Sequence, residues 1–283
     1  MKEVPSTSEN HQERLDNIKG ELSVLPEIRF LAYDKTQETR DKLIARYPGF
    51  KEEIEFIVSV IYQMLDQFKY NAVTGNIPSQ SARREESSAL NISFAESFYL
   101  ETSYILEHLD EKDYIKDLLC LCGDLARQLG TSREWMTARR GLIGQVGVYK
   151  YMDRLDLNPE LAAPKEDAFK KVDFWGKSGD KKLAVQGKCA EFVNEPVYID
   201  SREKLDSWVS QEVDKANKIQ SVRKKEDARR TINKTKNDFI GIQRTYTKNK
   251  EIQPVIIILP WGLINYDDGS LKDEYFKDNS INS

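Results

Sequence analysis

The run Val255-Ile256-Ile257-Ile258-Leu259, held between Pro254 and Pro260, constrains this chain more than any other stretch. Four of its five residues are β-branched, and two prolines leave no room to extend it as a helix. It reads as a buried strand. It is also far short of the roughly 20 apolar residues needed to cross a bilayer. A buried strand needs a sheet around it, and neighbours are found upstream. Lys171-Val172-Asp173-Phe174-Trp175 reads as a short strand, and Gly176-Lys177-Ser178-Gly179-Asp180 as turn chemistry. Lys182-Leu183-Ala184-Val185-Gln186-Gly187-Lys188 reads as the returning strand of a hairpin.

Before Pro159 the apolar spacing is helical. Lys51 to Ile57 leads into Ile61, Met64, Leu65 and Phe68 at three- and four-residue steps. Helix signals return over 92–108, 113–129 and 133–155. Gly130-Thr131-Ser132 closes one helix and caps the next. Residues 71–88, rich in Gly, Pro, Ser and Asn, read as a break. Another helix starts near Asp200-Ser201 and runs to about Lys225. The first residues are polar, with no apolar core behind a basic start, so no secretory signal is visible. The expected layout is a disordered tail over 1–20, a helical N-terminal region over 21–130 and an α/β domain over 131–283. A chain of 283 residues is long enough for one large domain or two smaller ones.

Three cysteines, Cys120, Cys122 and Cys189, form a sparse, odd set. They read as reduced thiols in a cytoplasmic protein. Two histidines leave little room for a histidine-rich zinc site or a Ser-His-Asp hydrolase. The net charge of -4 conceals a basic segment: from Lys218 to Lys250, eleven basic residues stand against three acidic ones. Such local charge suits a polyanion, because phosphate contacts release counterions. Arg223, Lys224, Lys225, Arg229 and Arg230 are the candidate phosphate contacts.

Side chains alternate along a strand. In the expected hairpin register, Asp173 stands opposite Ala184. Val172, Phe174, Leu183 and Val185 then share the apolar face, and Asp173, Gln186 and Lys188 share the other. A one-residue slip would put Leu183 and Val185 beside Asp173. A carboxylate, an amide oxygen and an ammonium therefore converge at one sheet edge. The two oxygens suit a hard cation such as magnesium. The lysine beside them can orient or deprotonate an attacking water and offset charge on a phosphodiester transition state. Trp175, on the predicted face of Asp173, offers a ring for stacking a base.

These residues resemble the signature of the PD-(D/E)XK nuclease superfamily, also called restriction-endonuclease-like. In that family an Asp opens the signature, and an acidic residue or Gln, any residue, and Lys follow on the next strand. A preceding helix often carries G-x-x-G-E, and Gly141-Leu142-Ile143-Gly144-Gln145 sits in that place. The resemblance covers about residues 133–190, and extends to 260 if Val255–Leu259 is a further core strand. It implies an α/β fold: a restriction-endonuclease-like mixed β-sheet core flanked by helices, here preceded by an all-helical region. It implies Asp173 and Gln186 as magnesium ligands, Lys188 as the catalytic lysine and Gln145 at the helix-glutamate position. Both of the commonest carboxylate positions hold glutamine, and Glu166 or Asp167 is the candidate auxiliary acid. The implied activity is a Mg2+-dependent endonuclease on DNA, in restriction or phage defence. Two cuts in a duplex need two active sites, which favours a homodimer. The alternative is a catalytically inactive nucleic-acid-binding protein on the same fold.

Overall fold

The computed structural model of the chain describes residues 26–74, 95–249 and 251–272. The expected tail over 1–20 lies outside them, as does most of the expected break over 71–88. The first four residues of that break are the end of a helix. The chain divides into two compact units, Met1–Arg139 and Arg140–Ser283.

The first unit is helical among its described residues. It holds α1 (Pro26–Arg46), α2 (Lys51–Thr74), α3 (95–107), α4 (Lys112–Leu129) and the start of α5 (Ser132–Arg154). Ile54, Ile57, Ile61, Met64 and Leu65 of α2 are buried, as are Ile115, Leu118, Leu119, Cys122 and Leu125 of α4. These positions recur at the three- and four-residue steps of one helix face. Gly130 adopts a left-handed conformation (φ 74°), and its N–H donates to Arg127 O at 3.2 Å. It ends α4 as a C-terminal cap. Glu101 on α3 is 1% exposed, and neither carboxylate oxygen has a hydrogen-bond partner among the described residues. Burial pushes its carboxyl well above the usual range.

The second unit is mixed α/β. After the rest of α5 come β1 (Glu160–Leu161), α6 (Pro164–Lys170), β2 (Phe174–Ser178), β3 (Lys181–Ala190), β4 (Val197–Ile199), α7 (Arg202–Asn217), α8 (Val222–Thr245) and β5 (Ile252–Pro260). The sheet order is β1-β2-β3-β5-β4. β3 and β5 run parallel at its centre, and the other pairings are antiparallel. The Val255–Leu259 run is fully buried within β5. Ala184, Ile256 and Ile258 pack with Leu205 and Trp208 of α7 and Ile232, Phe239 and Ile242 of α8. The opposite sheet face meets α5. A Cβ added at Gly187 would stand 3.0 Å from Val148 Cγ1, and one at Gly144 would stand 3.1 Å from Cys189 Sγ. Helices thus cover both faces, as a sheet with a doubly buried central strand requires.

Three expectations are corrected. The hairpin pairs two residues away from the expected register: Trp175, not Asp173, faces Ala184. The loop is tighter than expected, because Ser178 pairs with Lys181 around Gly179 (φ 57°) and Asp180. An even shift keeps every side chain on its face. The first strand starts at Phe174 rather than Lys171, because Lys171 (φ 60°) caps α6 and turns the chain. The helix expected to reach Lys225 ends at Asn217, and a second starts at Val222, capped by Ser221.

Among the described residues no helix is long and apolar enough to cross a membrane. Cys120 is exposed, Cys122 is buried, and Cys189 lies against α5 with its Sγ 3.8 Å from Gly144 O.

Candidate functional site

The site grows from the place where β2 and β3 part. The backbone of Asp173 is stitched on both sides: its N–H donates to Val185 O (2.8 Å), and its carbonyl accepts from Ala162 N–H (2.9 Å). Two residues earlier the chain turns away at Lys171, and Gly187 has no strand backbone to bond on that side. The Asp173 carboxylate fills the gap, its Oδ2 accepting the Gly187 N–H at 2.8 Å. The same oxygen accepts from Gln186 Nε2. Lys188, two residues on along the same face of β3, places its Nζ 2.5 Å from Asp238 Oδ2 on α8. Both side chains are close to fully buried.

Asp167, in the first turn of α6, adds a second carboxyl. Its side chain interacts with that of Asp173, and each shifts the other's affinity for a proton. Burial raises the Asp173 carboxyl well above the usual range, and the neighbouring Asp167 raises it further. Burial also raises Asp167, against the pull of Lys171 and Lys234. Burial lowers the Lys188 ammonium, and Asp238 opposes that shift. Lys234 of α8 is exposed and interacts with both Lys188 and Asp167.

The structure therefore brings Asp167, Asp173, Gln186 and Lys188 together. It separates the two candidate auxiliary acids. Glu166 accepts from Trp175 Nε1 (2.7 Å) and from Lys170 Nζ (3.4 Å), which draws it away. Trp175 is engaged as well: Lys182 Nζ lies 3.9 Å over its ring, and Tyr246 meets it edge-on at 5.7 Å. That face is not open for base stacking. Gln145 lies half-buried on α5, next to the Gly144 contact with Cys189.

Two site residues escaped the sequence reading. Asp238 had a signal: it stands among the buried positions Ile232, Thr235, Phe239 and Ile242 of α8, where a lone acid needs a partner. Lys234 had none, since it was one lysine of a basic run.

The candidate phosphate contacts divide. Arg223, Lys224 and Arg230 are exposed on α8. Lys225 Nζ donates to Asn217 O (3.0 Å), and Arg229 donates to Asn217 Oδ1 (2.7 Å). Those two side chains close the C-terminus of α7, where cations suit the helix dipole.

Among the described residues no group of three or more His, Cys, Asp or Glu side chains is arranged to hold a metal ion. The donor set at hand is two carboxylates and an amide. No family model, no curated protein and no solved structure matches this chain.

Proposed function

We propose that the second unit is a magnesium-dependent deoxyribonuclease of the PD-(D/E)XK kind, an endonuclease cutting DNA phosphodiester bonds. The observation that carries the reading is the meeting of Asp173, Gln186 and Lys188 with a second carboxyl from Asp167. Asp167 offsets the charge lost where glutamine replaces the family's carboxylates. The mixed sheet flanked by helices agrees with the fold that the resemblance implies.

The residues fit a hard divalent ion. Asp167 adds to the cost of ionising the buried Asp173 carboxyl, and a divalent ion held by the two would offset that repulsion. Turning over the Gln186 amide presents its oxygen to the same point. When bound, magnesium supplies concentrated positive charge that eases attack on a phosphodiester and deprotonation of a nearby water. Lys188 supplies a fixed cation beside the scissile group. Arg223, Lys224, Arg230 and Lys234 grip phosphates without reading bases. Restriction or phage defence is the setting such an enzyme serves, and a homodimer supplies two active sites for two strands.

The test is plasmid nicking by the full chain with Mg2+, with EDTA, and in Asp173→Asn and Lys188→Ala variants. Cutting that needs Mg2+ and disappears in both variants supports the enzyme. A second reading, a catalytically inactive nucleic-acid-binding protein, is favoured by one observation: Asp173 Oδ2 already accepts two donors from β3. It predicts salt-dependent DNA binding that neither variant alters.

A further inference from the structure

We propose that Asp238 is a positioning residue for Lys188, so that α8 is part of the reaction site and not only a cover for the sheet. This deepens the nuclease reading and rests on it.

A lysine side chain has four rotatable bonds and three equivalent donors, so it defines a direction only when something holds it. Lys188 leaves the middle of the sheet, where β3 pairs with β5 and Lys188 stands beside Ile258. Apolar neighbours can confine its methylenes but cannot fix its charged end. Asp238 does so. Its Oδ2 lies 2.5 Å from Nζ, and the two side chains are 11% and 8% exposed. The partners are fifty residues apart in sequence and lie on different elements, so the contact is specific to the folded unit. Asp238 is the one charged residue among the buried positions of α8. Its neighbours Phe239 and Ile242 pack in the core beneath the sheet, which fixes the backbone that carries it.

A structural pin is the competing account. Burial of both charges offers little net stability compared with a packed apolar pair. What the pair does supply is one orientation of the ammonium. Lys188 is the residue that the nuclease reading places next to the scissile group, and misplacing such a group by about 1 Å costs on the order of a hundredfold in rate.

The test has two arms, both on the full chain. In the first, 15N-labelled lysine side chains are observed by NMR. Wild type shows a slowly exchanging ammonium cross-peak that Lys188→Arg removes and assigns. Asp238→Asn also loses it, and Asp238→Glu keeps it. In the second, supercoiled plasmid is cut in Mg2+. Asp238→Asn lowers kcat by about tenfold or more with KM within about twofold, and Asp238→Glu recovers a substantial part. A cross-peak that persists in Asp238→Asn overturns the proposal. So does an Asp238→Asn enzyme that cuts at the wild-type rate. If Asp238→Asn does not fold, the Asp238→Glu enzyme decides: a kcat no better than that of Lys188→Ala in a folded chain overturns the role. If wild type itself does not cut, the nuclease reading is what fails, and the cross-peak still decides whether Asp238 holds Lys188.

Discussion

Asp173 has two separable jobs, and two substitutions tell them apart. Its carboxylate caps the Gly187 N–H at the point where the sheet splits, at 2.8 Å, in a side chain whose residue is only 6% exposed. Asp173→Ala removes that acceptor and leaves a part-buried N–H without a partner, which costs about 1–3 kcal/mol. Taking the middle of that range, and about 2–4 °C per kcal/mol for a protein of this size, the melting midpoint should fall by about 4–8 °C. Asp173→Asn keeps an oxygen at the same place for the Gly187 N–H. It also ends the confrontation with Asp167, so its midpoint should equal or exceed that of wild type. Both variants lose the charge that holds a cation, so neither should nick plasmid in Mg2+. Added Mg2+ should raise the midpoint of wild type and of neither variant, because a ligand stabilises the state that binds it. Differential scanning fluorimetry with and without 10-fold steps of MgCl2, beside the nicking assay, reads all of this. Equal destabilisation of Asp173→Ala and Asp173→Asn would refute the capping argument, and a Mg2+ shift retained in Asp173→Asn would refute the ligand assignment.

Glu101→Gln in the helical unit should raise stability by about 1–3 kcal/mol at pH 8 and by little at pH 4. The folded carboxyl is raised by burial, so the stability of wild type is complete below the unfolded pKa and declines as pH climbs toward the folded one; urea midpoints at the two pH values check the sign. Paired Arg223→Glu and Arg230→Glu changes should flatten the salt dependence of DNA binding by about two counterions. Paired Lys225→Ala and Arg229→Ala should instead lower thermal stability and leave that slope nearly intact, as fluorescence anisotropy would show. Gly187→Ala puts a methyl 3.0–3.2 Å from three atoms of the stiff Val148 side chain, so urea unfolding should show a loss of about 1–3 kcal/mol.

Period-two alternation was enough to read which face of the hairpin carries Asp173, Gln186 and Lys188, and the β-branched run at 255–259 was enough to read the central strand. The register was not legible. Lys177 to Lys181 contains one glycine and one aspartate that suit either a two-residue or a four-residue loop, and both keep the same faces. The α7–α8 break was hidden because Lys218-Ile219-Gln220-Ser221 contains neither Gly nor Pro, and only the Ser221 cap marks it. The partner of Lys188 was out of reach for another reason. Pairing Lys188 with Asp238 needs the rotation of α8 against the sheet, which follows from the packing of Ile232, Phe239 and Ile242 rather than from any local pattern. Choosing between Glu166 and Asp167 needed the start of β2 and the direction of the Trp175 indole, both tertiary facts.

The three thiols differ in a way that experimenters can use. Burial pushes the Cys189 thiol up to about 12 and that of Cys122 well above its ordinary value, whereas Cys120 stands in solvent. Because the thiolate is the reacting form, a maleimide dye at neutral pH should go to Cys120 alone. The natural sequence thus comes with a single attachment point on the helical unit, ready for fluorescence work without any engineered cysteine.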